Sequence, residues 1–149
     1  MLRMLALVFV AAALAAPGPS PATREARSIG YFKTPSGNIV CGHSVAASAR
    51  ETSVECGIRS GLKPAPPNTC TDLDYSGKRV GLTALGRAVP VVCAGDPGPF
   101  LFASRARVLA YGRTWRGGGI VCTSRRIGLT CRNRRGHGFF LSRARWRSF

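Results

Sequence analysis

Residues Gly118 to Arg134 read GGIVCTSRRIGLTCRNR, two short runs each centred on a cysteine and joined by a loop that ends in glycine. Apolar and polar residues alternate through both runs, which is the period of a half-buried strand. Setting Ser124 opposite Leu129 leaves Arg125-Arg126-Ile127-Gly128 as a four-residue loop, with Gly128 free to take the positive φ that such loops need at their end. Thr123 then faces Thr130, and Cys122 faces Cys131. Alternate residues share one side of a strand. The core side is therefore Ile120, Cys122, Leu129 and Cys131, and the other side carries Val121, Thr123, Thr130 and Arg132.

The pattern occurs twice. Gly37-Asn38-Ile39-Val40-Cys41-Gly42 resembles Gly118-Gly119-Ile120-Val121-Cys122-Thr123, and Val54-Glu55-Cys56-Gly57-Ile58-Arg59 resembles Leu129-Thr130-Cys131-Arg132-Asn133-Arg134. Each half reads as strand, loop, strand; the match is either an internal duplication or a chance likeness between short Cys-centred strands. The first copy turns Ile39, Cys41, Val54, Cys56 and Ile58 inward and has a longer, polar loop. These registers pair Cys41 with Cys56 and Cys122 with Cys131, which leaves Cys70 for Cys93. Without a C-x-x-C pair, the cysteines read as a disulfide framework rather than a metal site. Such frameworks belong to oxidising compartments. By chain-entropy reasoning each bridge contributes about 2.5–3.5 kcal/mol, so the three together match an ordinary small domain's whole stability of about 5–15 kcal/mol.

Elsewhere, Gly61 to Asn68 (GLKPAPPN) is a Pro-rich connection, and Val89 to Ala94 is a strand that ends at the Gly95-Asp96-Pro97-Gly98 turn. Arg107 to Tyr111 and His137 to Leu141 are further strands, and Ser142 to Phe149 is expected to close the chain as a helical turn. No segment sustains a helical period. The expected fold is all-β or mostly β, a small disulfide-stapled antiparallel sandwich or barrel built around two Cys-closed hairpins. Met1 to Ala16 sets one arginine before an unbroken apolar run, the order of a signal peptide, and Pro17-Gly18-Pro19 then ends any helix. That run is shorter than the roughly 20 residues of a membrane-crossing helix. Residues 1–22 read as a signal peptide cut after Ala22, 23–30 as a flexible N-terminal segment, and 31–149 as a single disulfide-rich β domain. The mature protein is expected outside the cytoplasm, secreted or on the cell envelope, without a membrane span and as a monomer.

Lys+Arg number 22 against 6 Asp+Glu, a formal net charge of +16. Codon usage in a GC-rich genome accounts for arginine over lysine, but it does not account for missing acids, and this imbalance favours anionic partners. Downstream of Asp96 there is no Asp, Glu or Lys. The candidate anion-binding residues there are Arg125, Arg126, Arg132, Arg134, Arg135, Arg143 and Arg145, because the planar guanidinium fork suits phosphate, sulfate or carboxylate. Trp115 and Trp146 either stack on a base or sugar ring or pack the core. Arginines scattered over every face would be no more than a solvated surface.

His43 and His137 are the only histidines, which invites comparison with ribonucleases that pair a His acid with a His base. No spacing supports that chemistry, and no catalytic residue is assigned. His137 lies between two glycines, His43 ends the first Cys strand, and Asp72, Asp74 and Asp96 read as turn residues. No metal or other cofactor is expected.

Phe32-x-Thr34-Pro35-Ser36-Gly37-Asn38-Ile39-x-Cys41 near the start resembles the opening pattern of a family of short exported proteins, chiefly actinobacterial, that carry an uncharacterised domain of unknown function. Leu109-x-Tyr111-Gly112, Gly119-x-x-Cys122-Thr123-Ser124, Gly128-x-Thr130-Cys131-x-Asn133 and Gly136-His137-Gly138-Phe139-x-Leu141-Ser142-Arg143 resemble its closing patterns. The resemblance implies export and a Cys framework, and it carries no catalytic residue across. The functional expectation is a non-enzymatic binding module for an anionic partner, namely an envelope polymer, a nucleic acid or an acidic protein. The alternative is an inhibitor of an extracellular hydrolase, by fold-level analogy with small periplasmic β-barrel inhibitors of lysozyme. A small His-dependent hydrolase or nuclease is the third reading.

Overall fold

The computed structural model describes residues 30–48 and 50–149, so the expected signal peptide at 1–22 and nearly all of the expected segment 23–30 lie outside the described residues. Two antiparallel sheets pack face to face. The first contains β1 (Tyr31–Lys33), β2 (Ile39–Ser44), β3 (Ser53–Ile58), β4 (Tyr75–Thr83) and β5 (Val89–Cys93), with β6 (Arg107–Val108) added in parallel on the free edge of β1. The second contains β7 (Thr114–Gly117), β8 (Ile120–Arg125), β9 (Gly128–Asn133), β10 (Gly138–Leu141) and β11 (Trp146–Ser148). The architecture is all-β as expected, and of the two forms expected, sandwich or barrel, it is the sandwich.

Both Cys hairpins take the registers that alternation dictates. Cys41 faces Cys56 and Cys122 faces Cys131, each pair with Cα atoms 4.0 Å apart and bridged, and Cys70 is bridged to Cys93. Ile39, Cys41, Val54, Cys56 and Ile58 are buried, as are Ile120, Cys122, Leu129 and Cys131. The likeness between the two halves extends from β1–β5 to β7–β11, and β6 has no counterpart. Phe32, Cys41, Cys56, Val80 and Pro90 form one cross-strand row, and Trp115, Cys122, Cys131, Phe139 and Ser148 form its counterpart. The rows meet where the Phe32 and Trp115 rings stack 5.1 Å apart, joining both sheets in one core.

Four expectations need correction. Arg125 pairs with Gly128, so the β8–β9 turn has two residues, Arg126 and Ile127, rather than four. Both keep negative φ, and Gly128 supplies the positive φ, 148°; a Cβ there would strike the Leu141 carbonyl oxygen. Residues Ser142 to Phe149 form a tight turn and then β11, not a helical turn, because Arg147 and Trp146 complete a ladder with Phe140 and Leu141. Of the strand expected at Arg107 to Tyr111, only Arg107 and Val108 are in strand. Finally β4, the longest strand, had no counterpart among the expected elements, and neither had the short β1 and β7.

The outer faces of the sheets differ. A short 3-10 turn, Gly98–Phe102, lies across the outer side of β2 and β3. It approaches closely because Gly42 and Gly57 lack side chains: a Cβ on Gly57 would lie 2.5 Å from the Phe100 ring. Beneath it Arg79, 3% exposed, sits with Nη1 3.2 Å from Asp96 Oδ1 in a hydrogen bond and 3.0 Å from Glu55 Oε1 in a charge contact without hydrogen-bond alignment. The second sheet instead presents the row Thr114, Thr123, Thr130, Phe140 and Arg147 outward, and a depression opens on it.

Candidate functional site: a basic cleft at one end of the sandwich

In a meander, alternate turns fall at the same end. The β8–β9 turn and the β10–β11 turn (Ser142–Arg145) therefore lie side by side, and the β1–β2 turn of the other sheet closes against them. Together they bound a cleft of about 390 Å³ lined by Thr34, Ser36 and Asn38 from the first sheet and by Tyr111, Arg125, Arg126, Ser142 and Arg143 from the second half. The stretches quoted above for the family resemblance thus meet in space although they lie far apart in the chain.

The polar groups of the cleft are held by short-range bonds. Thr34 Oγ1 lies 3.2 Å from Ser36 Oγ, which accepts from the Asn38 amide at 3.3 Å. Asn38 Nδ2 donates to Ser60 Oγ at 3.2 Å. Ser142 Oγ donates to the Arg145 carbonyl at 2.9 Å and fixes the β10–β11 turn. The Arg126 guanidinium rests over the Tyr111 ring, 5.4 Å from its centroid.

Two further depressions adjoin this cleft. One, about 340 Å³, lies on the outer face of the second sheet between Thr123, Arg125, Thr130, Phe140, Arg145 and Arg147. The other, about 570 Å³, lies between Lys33, Ser36, Asn38, Arg59, Ser104 and Arg143. Arg125 and Ile127 line both depressions of the first pair and Ser36, Asn38 and Arg143 both of the second, so the three adjoin one another in a basic track. None of their linings contains Asp or Glu. Among the described residues the ion pairs are those of Arg79 with Glu55 and Asp96, away from the track. In that cluster burial pushes the Glu55 carboxyl above its ordinary value, Arg79 draws it back in part, and Asp96 adds to the rise.

The expected arginines divide between the two ends of the second sheet. Arg125, Arg126, Arg143 and Arg145 converge on the track. Arg132, Arg134 and Arg135 follow the far end of β9: Arg132 Nε donates to the Gly136 carbonyl at 3.2 Å, and Arg134 packs over Gly119. Lys33, Arg59 and Arg147 join the track without having been singled out; Arg147 was accessible from the outward row once β11 is taken as a strand. Trp115 is a core residue between Phe32 and His43, and Trp146 donates its indole N–H to the Pro64 carbonyl at 2.8 Å. The histidines sit on different sheets. His43, 3% exposed, packs its ring against Trp115 at 4.7 Å, and His137 belongs to the β9–β10 turn organised by the Asn133 side chain.

Residues 6–149 match a family of unknown function, DUF6636. The chain belongs to this family. Among curated proteins and among solved structures, none matches it. Membership in DUF6636 brings no activity with it, so the reading of the cleft rests on its own chemistry.

Proposed function

We propose that this DUF6636 protein is an exported, non-enzymatic module whose basic cleft binds the anionic group of an envelope polymer, a nucleic acid or an acidic protein. One observation carries the reading: Arg125, Arg126 and Arg143 surround a single opening whose lining holds hydroxyls and an amide but no carboxylate. Guanidinium groups without acidic partners bind phosphate, sulfate or carboxylate by charge-assisted, bidentate hydrogen bonds. Export is supported by the signal-peptide pattern of residues 1–22 and by three disulfides, which persist in oxidising compartments. Residues 31–149 are taken as the single folded domain. The test is retention on a sulfated or phosphorylated matrix as a function of salt. Replacing Arg125, Arg126 and Arg143 together by serine should lower the slope of log affinity against log salt by about two to three. Arg134→Ser with Arg135→Ser, at the other end of the sheet, should change it little. Equal losses from the two sets, or no retention of the unaltered protein, would defeat the proposal.

The hairpin tip favours a second reading, inhibition of an extracellular hydrolase. Ile127 is 71% exposed in a two-residue turn held by the Cys122–Cys131 bridge, a rigid projection suited to another protein's cleft. Lysozyme or protease assays in which excess protein has no effect remove the enzymes tested, and inhibition that survives Ile127→Asp removes the tip.

A further inference from the structure

Building on that reading, we infer that the ligand is a linear polyanionic glycan running through all three depressions, not a small anion confined to the central cleft. Continuity is the first ground. Arg125 forms part of the wall between the outer-face depression and the cleft, and Arg143 part of the wall between the cleft and the third depression. Charge continues beyond both, to Arg147 on one side and to Arg59 on the other. A single sulfate or phosphate uses one or two guanidinium groups, so only a chain of anions engages both ends at once.

Preorganisation is the second ground. Arg59 lies over the Phe100 ring at 5.4 Å and Arg147 over Phe149 at 5.7 Å, in addition to the pairing of Arg126 with Tyr111. Arg59 Nε also donates to the Gly37 carbonyl at 3.1 Å. Cations already placed on ring faces lose less side-chain freedom on binding than free ones. They are fixed at the cleft and at both ends of the track.

The walls between the charges select the polymer. Hydroxyls and an amide from Ser36, Asn38, Ser104, Thr123 and Thr130 offer partners for sugar hydroxyls. A single-stranded nucleic acid is held chiefly by stacking its bases on open aromatic faces. Here Trp115 is half-buried with its ring stacked on Phe32, Trp146 is tied to Pro64, and Tyr111 is covered by Arg126. Phe140 is the one other aromatic ring in the three linings, and a single ring does not stack a run of bases, so charge and hydroxyls suit a charged polysaccharide better.

Calorimetric titration of the full-length oxidised protein with size-defined heparin fragments tests this. A decasaccharide should bind at least about tenfold more tightly than a disaccharide, since further sites engage on the same chain. Arg59→Ser and Arg147→Ser should each weaken the decasaccharide about fivefold and lower its salt slope by about one, leave the disaccharide unchanged, and preserve the thermal midpoint. A disaccharide that binds as tightly as the decasaccharide, or end variants that bind the decasaccharide normally, overturns the track but leaves the cleft standing. No binding of any fragment overturns both. Tighter binding of oligothymidylate or of polyglutamate at matched charge overturns the glycan in favour of a nucleic acid or an acidic protein, respectively.

Discussion

Replacing Cys70 and Cys93 together by alanine should destabilise the protein less than replacing either inner pair, although it opens the longest loop. Loop entropy alone ranks the bridges the other way. For separations of 23, 15 and 9 residues it assigns about 3.4, 3.0 and 2.6 kcal/mol to Cys70–Cys93, Cys41–Cys56 and Cys122–Cys131. The inner cysteines, however, are 0% exposed, in the rows that meet at Phe32 and Trp115, whereas Cys70 and Cys93 are only partly covered. Removing each enclosed sulfur forfeits burial and leaves a small void, together about 1 kcal/mol per residue. The totals become about 5 kcal/mol for Cys41–Cys56, about 4.6 for Cys122–Cys131 and about 3.4 for Cys70–Cys93. Guanidinium unfolding followed by the fluorescence of Trp115 and Trp146 gives the three values, with equal slopes required before midpoints are compared. If the Cys70/Cys93 variant proves the least stable, the packing argument is wrong and loop length governs.

Two other outcomes follow from the covered face of the first sheet. Gly57→Ala should cost about 1–3 kcal/mol, because the added methyl must displace the Phe100 ring; denaturant unfolding at unaltered midpoint would contradict the close approach. Stability should also decline as pH rises from about 4.5 to the higher native value of Glu55. In that window the folded state holds the Glu55 proton and the unfolded state has released it, so raising pH favours unfolding. Glu55→Gln should remove that component of the slope in thermal melts taken across the window, and an unchanged slope would count against it.

What could be read from the chain was what depends on near neighbours. Both Cys hairpins and their inward residues follow from alternation over six or seven positions, and the bridges follow from the registers. β4 escaped because YSGKRVGLT mixes two glycines with Lys78 and Arg79, and Arg79 is buried only because Glu55 and Asp96 reach it from β3 and the 95–98 turn. β11 escaped because three residues carry almost no pattern, and their strand character comes from pairing with β10. That omission also hid the site. Once β11 is a strand, the Ser142–Arg145 turn falls at the same end as Arg125 and Arg126, and the arginines divide as they are found to do. The contribution of Thr34, Ser36 and Asn38 depends on how the sheets dock, which no local pattern contains.

Every antiparallel pairing in both sheets joins strands that are consecutive in the chain, and no bridge links one sheet to the other. The half that is synthesised first contains four of the six cysteines and both of its own bridges. It can complete its oxidation before Cys122 appears, after which the last two cysteines have only each other as partners. The second sheet closes by short turns, which favours rapid local formation, whereas in the first the β3–β4 connection runs from Arg59 to Asp74. For a chain that enters an oxidising compartment N-terminus first, that order would confine mispairing to the first four cysteines, since each half holds its own bridges.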